Sequence, residues 1–160
     1  MFNRGEIQMN KKLTLALAAL SAGTALFAGT INGSFTPTNS QLYAKNPGCF
    51  VKAKDHMILK GIPNATWIVF DTTGVKAEQG KTICITITAS GKGKVFAGYY
   101  GYLKGFNLEK QEDKELTLTD KAQEFKLEFP LAENVKIVRP RFRIFSDAEI
   151  TVTDIKAEIK

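Results

Sequence analysis

The sequence has few of the residues from which enzymes build active sites. Of its 160 residues, one is a histidine, His56, and two are cysteines, Cys49 and Cys84. It contains no Gly-x-Ser-x-Gly elbow, no His-Glu-x-x-His metal motif and no Cys-x-x-Cys pair. The acidic residues of 109–114 lie among lysines, as in a solvated loop, and do not resemble a facing pair of glycosidase carboxylates. These absences favour a binding protein, and an enzyme of unrecognised type is the least favoured interpretation.

Long apolar runs are equally scarce, since only residues 13–28 form one, directly after Lys11 and Lys12. A basic start, an apolar stretch and small residues at its end are the three parts of a secretory signal. The alternative is a membrane anchor, but Thr14 and Ser21 interrupt the run, and a span needs about 20 mostly apolar residues. We predict a signal peptide over residues 1–28 and a secreted or periplasmic bacterial protein whose mature form does not span the membrane.

The sequence also lacks a block of one charge. Residues 1–28 hold three of the 22 basic and one of the 16 acidic side chains, which leaves 19 and 15, a net charge of +4, on the remainder. Nucleic-acid binders usually carry a clustered basic stripe, whereas these lysines are scattered among acids. We therefore predict no nucleic-acid partner.

The two cysteines, Cys49 and Cys84, are separated by 34 residues. In an oxidising compartment, one disulfide is the simplest expectation. Closing a loop of this length would stabilise the fold by roughly 3–4 kcal/mol. The alternative is two buried free thiols, which behave as small hydrophobes. We predict the Cys49–Cys84 disulfide.

Residues 29–47 are rich in Gly, Thr, Asn, Ser and Pro, and we predict that they form a flexible lead-in to a domain of residues 48–160. Regular structure should begin near Cys49. From there apolar and polar residues alternate with the period of half-buried strands, most clearly in residues 81–90. Several short strands at this spacing predict an all-β fold, an antiparallel two-sheet β-sandwich of jelly-roll type.

Three local features interrupt the alternation. Residues 107–114 favour a short helix or a long loop. Pro140 lies inside a predicted strand, which indicates an edge or bulged position. The step from Val152 to Ile155 breaks the two-residue rhythm of the last strand, which predicts a bulge near Thr153.

Aromatic side chains gather on one predicted strand, residues 94–103. Phe96, Tyr100 and Tyr102 share a face there, and Gly98 leaves a gap between the first two. Rings arranged in this way form a platform on which sugar rings stack, and a phenol adds a hydrogen-bonding tip. The alternative is that these rings cover the core or pack across strands. Trp67, the single tryptophan, is either a fourth ring of this platform or a core residue.

Arginines occupy alternate positions of the penultimate strand, at Arg139, Arg141 and Arg143. Three guanidinium groups on one face repel each other unless a partner compensates them. Carboxylates on neighbouring strands would make the stripe structural. The other interpretation is that the planar, multi-donor groups bind a hydroxyl-rich or acidic ligand.

Four segments together resemble carbohydrate-binding modules with the galactose-binding-domain-like jelly roll, namely residues 79–87, 124–129, 139–145 and 150–155. The resemblance implies a carbohydrate ligand. The closing strand of that family commonly carries an aspartate that helps to bind a structural calcium ion. Here Thr153 occupies that position, so Asp154 is the only candidate metal ligand of the motif, and no other cofactor is expected.

Taken together, these features predict a secreted, non-catalytic module for an oligosaccharide or polysaccharide. The ligand would stack on Tyr100 and Tyr102, with Phe96 and Trp67 nearby, and accept hydrogen bonds from the three arginines. The alternative function is an extracellular structural or adhesive domain that contacts another protein.

Overall fold

Strands dominate the part of the chain that the structure, a computed structural model, describes, which is residues 31–104 and 107–160. They are β1 (Phe35–Pro37), β2 (Phe50–Lys52), β3 (Met57–Lys60), β4 (Trp67–Asp71), β5 (Val75–Lys76), β6 (Thr82–Lys92), β7 (Val95–Tyr102), β8 (Leu108–Leu116), β9 (Gln123–Pro130), β10 (Ile137–Ile144) and β11 (Glu149–Ile159). One short α-helix, α1 (Ser40–Lys45), precedes a 3-10 turn at Pro47–Cys49.

The strands form two antiparallel sheets that pack face to face. One sheet has the order β1-β4-β10-β7-β8, with β5 also paired to β10, and the other has the order β2-β3-β11-β6-β9. We call them the six-stranded and the five-stranded sheet. The prediction of an all-β, antiparallel two-sheet sandwich is confirmed.

The apolar positions of the two-residue pattern lie between the sheets. Ile83, Ile85 and Ile87 of β6 are at most 1% exposed, and Tyr99 of β7 and Phe142 of β10 are fully buried. Because successive residues of a strand point to opposite faces, burying these side chains turns the intervening positions outward. The arginines of β10 and the remaining aromatic residues of β7 therefore lie on the outer face of the six-stranded sheet.

The segment predicted to be a flexible lead-in contains regular structure and reaches both sheets. β1 pairs with β4, and Ile31 forms a parallel bridge with Ile155 of β11. Asp71 anchors the same segment, since its carboxylate accepts a hydrogen bond from the Ser34 backbone N–H at 2.7 Å. The prediction that regular structure begins near Cys49 is wrong, because the apolar side chains that attach this segment are too widely spaced to show a strand pattern.

We expect Phe35→Ala to lower the free energy of unfolding by about 3 kcal/mol. Phe35 is 6% exposed, and its ring lies 6.2 Å from that of Phe142 between centroids. Urea unfolding measures the loss, and Val51→Ala, which shortens an exposed apolar side chain, is the control. Equal stability of the two variants would show that the segment contributes little to the fold.

The predicted disulfide is wrong, since Cys49 and Cys84 are both free and buried. Phe50, next to Cys49, pairs with Leu59, and the cross-strand register continues through β11 to Gly91 of β6. Cys84 lies on that same strand seven residues from Gly91, which is about 23 Å of extended chain. Three strand spacings separate the cysteines as well, and a disulfide needs Cα atoms within about 7 Å.

Residues 107–114 form neither a helix nor a loop, because β8 runs from Leu108 to Leu116 and pairs with β7. β8 is an edge strand with mostly exposed positions. Charged side chains are typical of such edges because they discourage pairing with other chains. The same charges obscure the alternation from which strands are predicted.

Of the two remaining local predictions, the bulge is confirmed and the edge position of Pro140 is wrong. The bulge near Thr153 is confirmed by a register shift between Val152 and Asp154. Pro140 lies in an interior strand, so its predicted place at a sheet edge is wrong. On one side, however, β10 pairs with β5 up to Val138 and with β4 only from Arg141 onward. Pro140 therefore falls in a break of that ladder, where its missing N–H costs no hydrogen bond.

The predicted signal peptide, residues 1–28, lies outside the described residues. Within residues 31–104 and 107–160, no helix is long and apolar enough to cross a membrane.

Candidate functional site

The aromatic and arginine residues come together because β7 and β10 are neighbours in the six-stranded sheet. Arg139 lies opposite Tyr100, and Arg143 lies opposite Phe96. Residues directly opposite on paired strands project from the same face. The outer surface of these strands and of β4 is called the arginine–aromatic face below, and it consists of Phe70, Phe96, Tyr100, Tyr102, Arg139, Arg141 and Arg143.

The guanidinium groups stack on the rings across the strands. The Cζ atoms of Arg141 and Arg143 lie 4.6 Å and 4.4 Å from the ring centroids of Tyr100 and Phe96. Arg139 Cζ lies 5.0 Å from the Tyr102 centroid. Each contact is within the range of a cation–π interaction. The rings therefore alternate with guanidinium groups, and the face differs from the bare aromatic platform predicted.

The rings also touch one another edge to face. Tyr100 contacts Phe70 and Tyr102, with centroids 5.9 Å and 6.0 Å apart. Burial raises the pKa of the Tyr102 phenol, although the neighbouring Arg139 guanidinium acts in the opposite direction. The phenol therefore stays protonated at neutral pH and can both donate and accept a hydrogen bond. Phe96, Tyr100 and Tyr102 are all partly exposed.

A carboxylate on β8 compensates two of the arginines. Asp113 Oδ2 accepts a hydrogen bond from Arg141 Nη2 at 2.6 Å, and Oδ1 accepts one from Arg143 Nη2 at 3.0 Å. Both Asp113 and Arg141 are nearly buried, whereas the Arg143 side chain is 34% exposed. The structural interpretation of the stripe thus holds for Arg141 and partly for Arg143.

Asp113 reaches the arginines because Gly98 of β7 has no side chain. Asp113 lies opposite Gly98 on one side, and Arg141 lies opposite it on the other. Sequence reasoning missed Asp113, since it assigned residues 107–114 to a helix or loop. The glycine at position 98 was the available sequence signal, because a strand position without a side chain leaves space that a side chain of a neighbouring strand can fill.

A shallow groove of about 380 Å³ crosses the sheet at this gap. Its lining comes from β4, β8 and β10 and consists of Ile68, Gln111, Glu112, Asp113, Arg141 and Arg143. The volume falls within the range of about 300–1,000 Å³ that is typical of small-ligand sites. Tyr100 and Phe96 flank Gly98 along β7, and their rings contact Arg141 and Arg143, the two arginines that line the groove.

Trp67 does not belong to the arginine–aromatic face. It is 4% exposed, lies in the core and donates from Nε1 to the Lys60 carbonyl oxygen at 2.9 Å. It pairs with Ile144, whose side chain is fully buried, so both point between the sheets. Of its two sequence-based interpretations, the core residue matches the structure and the ligand platform does not.

The other candidate residues lie elsewhere. His56 precedes β3, and its Nδ1 atom is 2.9 Å from the neighbouring Asp55 carboxylate. Asp154 lies after the bulge of β11, on the other sheet. Among the described residues, no three His, Cys, Asp or Glu side chains gather as a metal site would require. Asp154 therefore has no cluster around it to hold the calcium ion considered above.

Comparison with solved structures confirms the resemblance to carbohydrate-binding modules at the level of fold. No sequence family and no curated protein matches the chain. The chain is similar to the CBM22-1 xylan-binding domain from Paenibacillus barcinonensis Xyn10C, with a TM-score of 0.55 and 9% identity over 84% of this chain and 90% of that one. It is also similar to the CBM22-1–GH10 modules of a Clostridium thermocellum endo-1,4-β-D-xylanase in complex with xylohexaose, at a TM-score of 0.52 and 12% identity.

A third similar structure is the enzymatically active domain of tailspike protein 4 from bacteriophage CBA120, with a TM-score of 0.58 and 11% identity over 82% of this chain. This chain spans only 18% of the tailspike chain and 26% of the xylanase chain. At these identities the comparisons establish a shared sandwich fold.

Proposed function

We propose that this chain is a secreted, non-catalytic carbohydrate-binding module whose ligand lies on the arginine–aromatic face. The observation that carries the proposal is the cross-strand register of β7 and β10. It brings partly exposed tyrosines and arginines, separated by some forty residues in sequence, onto one surface beside a groove. The export part of the proposal is supported by the signal-like composition of residues 1–28.

The chemistry of the face suits a sugar polymer. Sugar rings present apolar C–H faces that pack against aromatic rings, and their hydroxyl groups accept hydrogen bonds from planar guanidinium groups. Tyr100 and Tyr102 supply the rings and two phenols, and Arg143 supplies donors at the border of the groove. Because ring contacts between residues hold these side chains in place, little conformational entropy is lost on binding.

The same groups support binding without catalysis. Guanidinium groups remain protonated at all ordinary pH values, and the pKa of the Tyr102 phenol is raised. Neither group is poised to exchange a proton near neutral pH. His56, the one imidazole of the sequence, belongs to the turn before β3, and β3 is a strand of the other sheet.

We expect Tyr100→Ala combined with Tyr102→Ala to abolish retardation of the protein in polysaccharide affinity gels. An aromatic ring on which a nucleobase stacks contributes about 1–3 kcal/mol. With a contribution of that size from each tyrosine, losing both rings weakens binding about 30-fold or more. Tyr43→Ala is the matched control, since this partly buried tyrosine packs on Phe50, away from the face. Far-ultraviolet circular dichroism verifies that all variants remain folded.

The gel panel should contain neutral and acidic polysaccharides. If the doubly substituted protein is still retarded, the binding site lies outside the arginine–aromatic face. If the unmodified protein is retarded by no polysaccharide, the carbohydrate proposal fails. The face would then be better explained as an adhesive surface that contacts another protein.

A further inference from the structure

The two outer faces of the sandwich differ in their balance of charge. On the six-stranded sheet, Lys94 Nζ lies 5.4 Å from the Phe96 centroid, and Lys76 lies opposite Ile137 at the other end of the arginine row. The acidic side chains in register with this face are Asp113 and Glu115, opposite Gly98 and Phe96. Glu112 lines the groove as well, but Lys110 Nζ lies 2.8 Å from its Oε1 atom and offsets its charge. Basic groups therefore outnumber acidic ones here among the described residues, and they include Lys76, Lys94, Arg139, Arg141 and Arg143.

The outer face of the five-stranded sheet alternates in charge from row to row. An acidic row of Asp154 and Glu124 is followed by a basic row of Lys156 and Lys126, and then by a second acidic row. Ion pairs join the rows, with Lys126 Nζ 3.1 Å from Glu124 Oε1 and Lys156 Nζ 2.8 Å from a Glu158 oxygen. The excess of basic side chains therefore lies on the outer face of the six-stranded sheet and not on the opposite face.

The two arginines that line the groove already bind one carboxylate, that of Asp113. The two oxygens of Asp113 each take a hydrogen bond from a different arginine, so the pair of guanidinium groups is spaced to bind an anion with two oxygens. A single carboxylate carries one negative charge and cannot neutralise two guanidinium groups. The Nε–H groups of Arg141 and Arg143 are buried and have no acceptor among the described residues. The part of the groove's arginine pair that a ligand can reach is the Arg143 side chain, which is 34% exposed.

We propose that the ligand is an acidic polysaccharide whose sugars carry carboxylates, with a carboxylate bound beside Arg143 in the groove. This inference rests on the carbohydrate function proposed above and narrows it to uronate-containing polymers. Asp113 offsets one positive charge of the two arginines that it bridges, and a ligand carboxylate offsets the second. A neutral glycan would leave that charge uncompensated at the border of the groove.

The test compares polygalacturonate with its methyl ester in affinity gels at fixed ionic strength. The two polymers have the same sugar ring and linkage, and only the first carries carboxylates. We expect the apparent affinity from gel retardation to be at least about tenfold higher for the free acid, because a charge-assisted hydrogen bond contributes about 1.5–3 kcal/mol. Arg143→Gln should remove most of this difference. Lys126→Gln removes one charge from the opposite face and should change retardation less than about twofold.

Other outcomes overturn the inference separately from the proposed function. Binding to neutral polysaccharides alone would leave the carbohydrate function standing and exclude the acidic ligand. Equal retardation by polyglutamate, which has carboxylates and no sugar rings, would show that the preference for polygalacturonate is nonspecific ion exchange. Preference for a sulfated polysaccharide over polygalacturonate would exclude carboxylate recognition. If no polysaccharide of either kind binds, the proposed function fails as well.

Discussion

Gly98→Ala is expected to destabilise the protein by about 4 kcal/mol or more, although it adds a single methyl group. A Cβ atom at this position would overlap the Glu112 carbonyl oxygen and the Asp113 Cα atom, which both belong to the backbone of β8. Backbone atoms of a paired strand cannot rotate away as the end of a side chain can. Overpacking usually costs about 1–3 kcal/mol where side chains adjust, and a larger loss is expected where a strand must move.

Urea unfolding measures this loss, and Gly48→Ala is the matched control. Gly48 has no atom within 4 Å of an added Cβ and no positive φ. It should therefore tolerate alanine with a change below about 0.5 kcal/mol. Gly98→Ala should also weaken polysaccharide binding, because displaced β8 residues no longer line the groove. Similar stability of the two variants would mean that β8 does not pack against Gly98 as described.

Asp113→Ala should lower the free energy of unfolding by about 4 kcal/mol. Removing one member of a buried ion pair typically costs about 3–5 kcal/mol, because the other charge is left in the interior without a partner. Arg141 is 5% exposed and would be that charge. Arg143 is more exposed, so water would compensate most of its loss.

Two further variants separate this explanation from a general loss of packing. Arg141→Met in the Asp113→Ala background should recover much of the stability, because the buried charge is then removed as well. Glu124→Ala breaks the Lys126–Glu124 pair, in which both side chains are more than half exposed. It should cost less than about 1 kcal/mol. If Asp113→Ala lowers the free energy of unfolding no more than Glu124→Ala does, then Asp113 does not stabilise the buried charge of Arg141.

The sequence was sufficient to predict the fold wherever one face of a strand is apolar. The isoleucines of β6 and the alternation around Phe142 identify both the strands and their buried sides. The same reasoning correctly placed Phe96, Tyr100 and Tyr102 on one face of β7. It works because a period of two has one physical cause, the burial of alternate side chains.

What could not be predicted depends on which strands are neighbours. Nothing in the alternation of β7 or β10 says that these strands pair, or that Asp113 lies across Gly98 from Arg141. The predicted disulfide failed for the same reason, since the number of cysteines carries no information on the distance between their strands. Segments that attach to the sandwich through single side chains, such as Phe35, have no period to detect.

The position of β11 constrains the order in which the protein can fold. β11 follows the other strands in the chain, yet it lies at the centre of the five-stranded sheet, between β3 and β6. Ile155 of the same strand meets Ile31, 124 positions earlier in the sequence. Contacts between such distant residues form slowly, because the loop must close before they contribute. The five-stranded sheet therefore cannot be completed until β11 has left the ribosome, so its central strand is the last of its strands to be added.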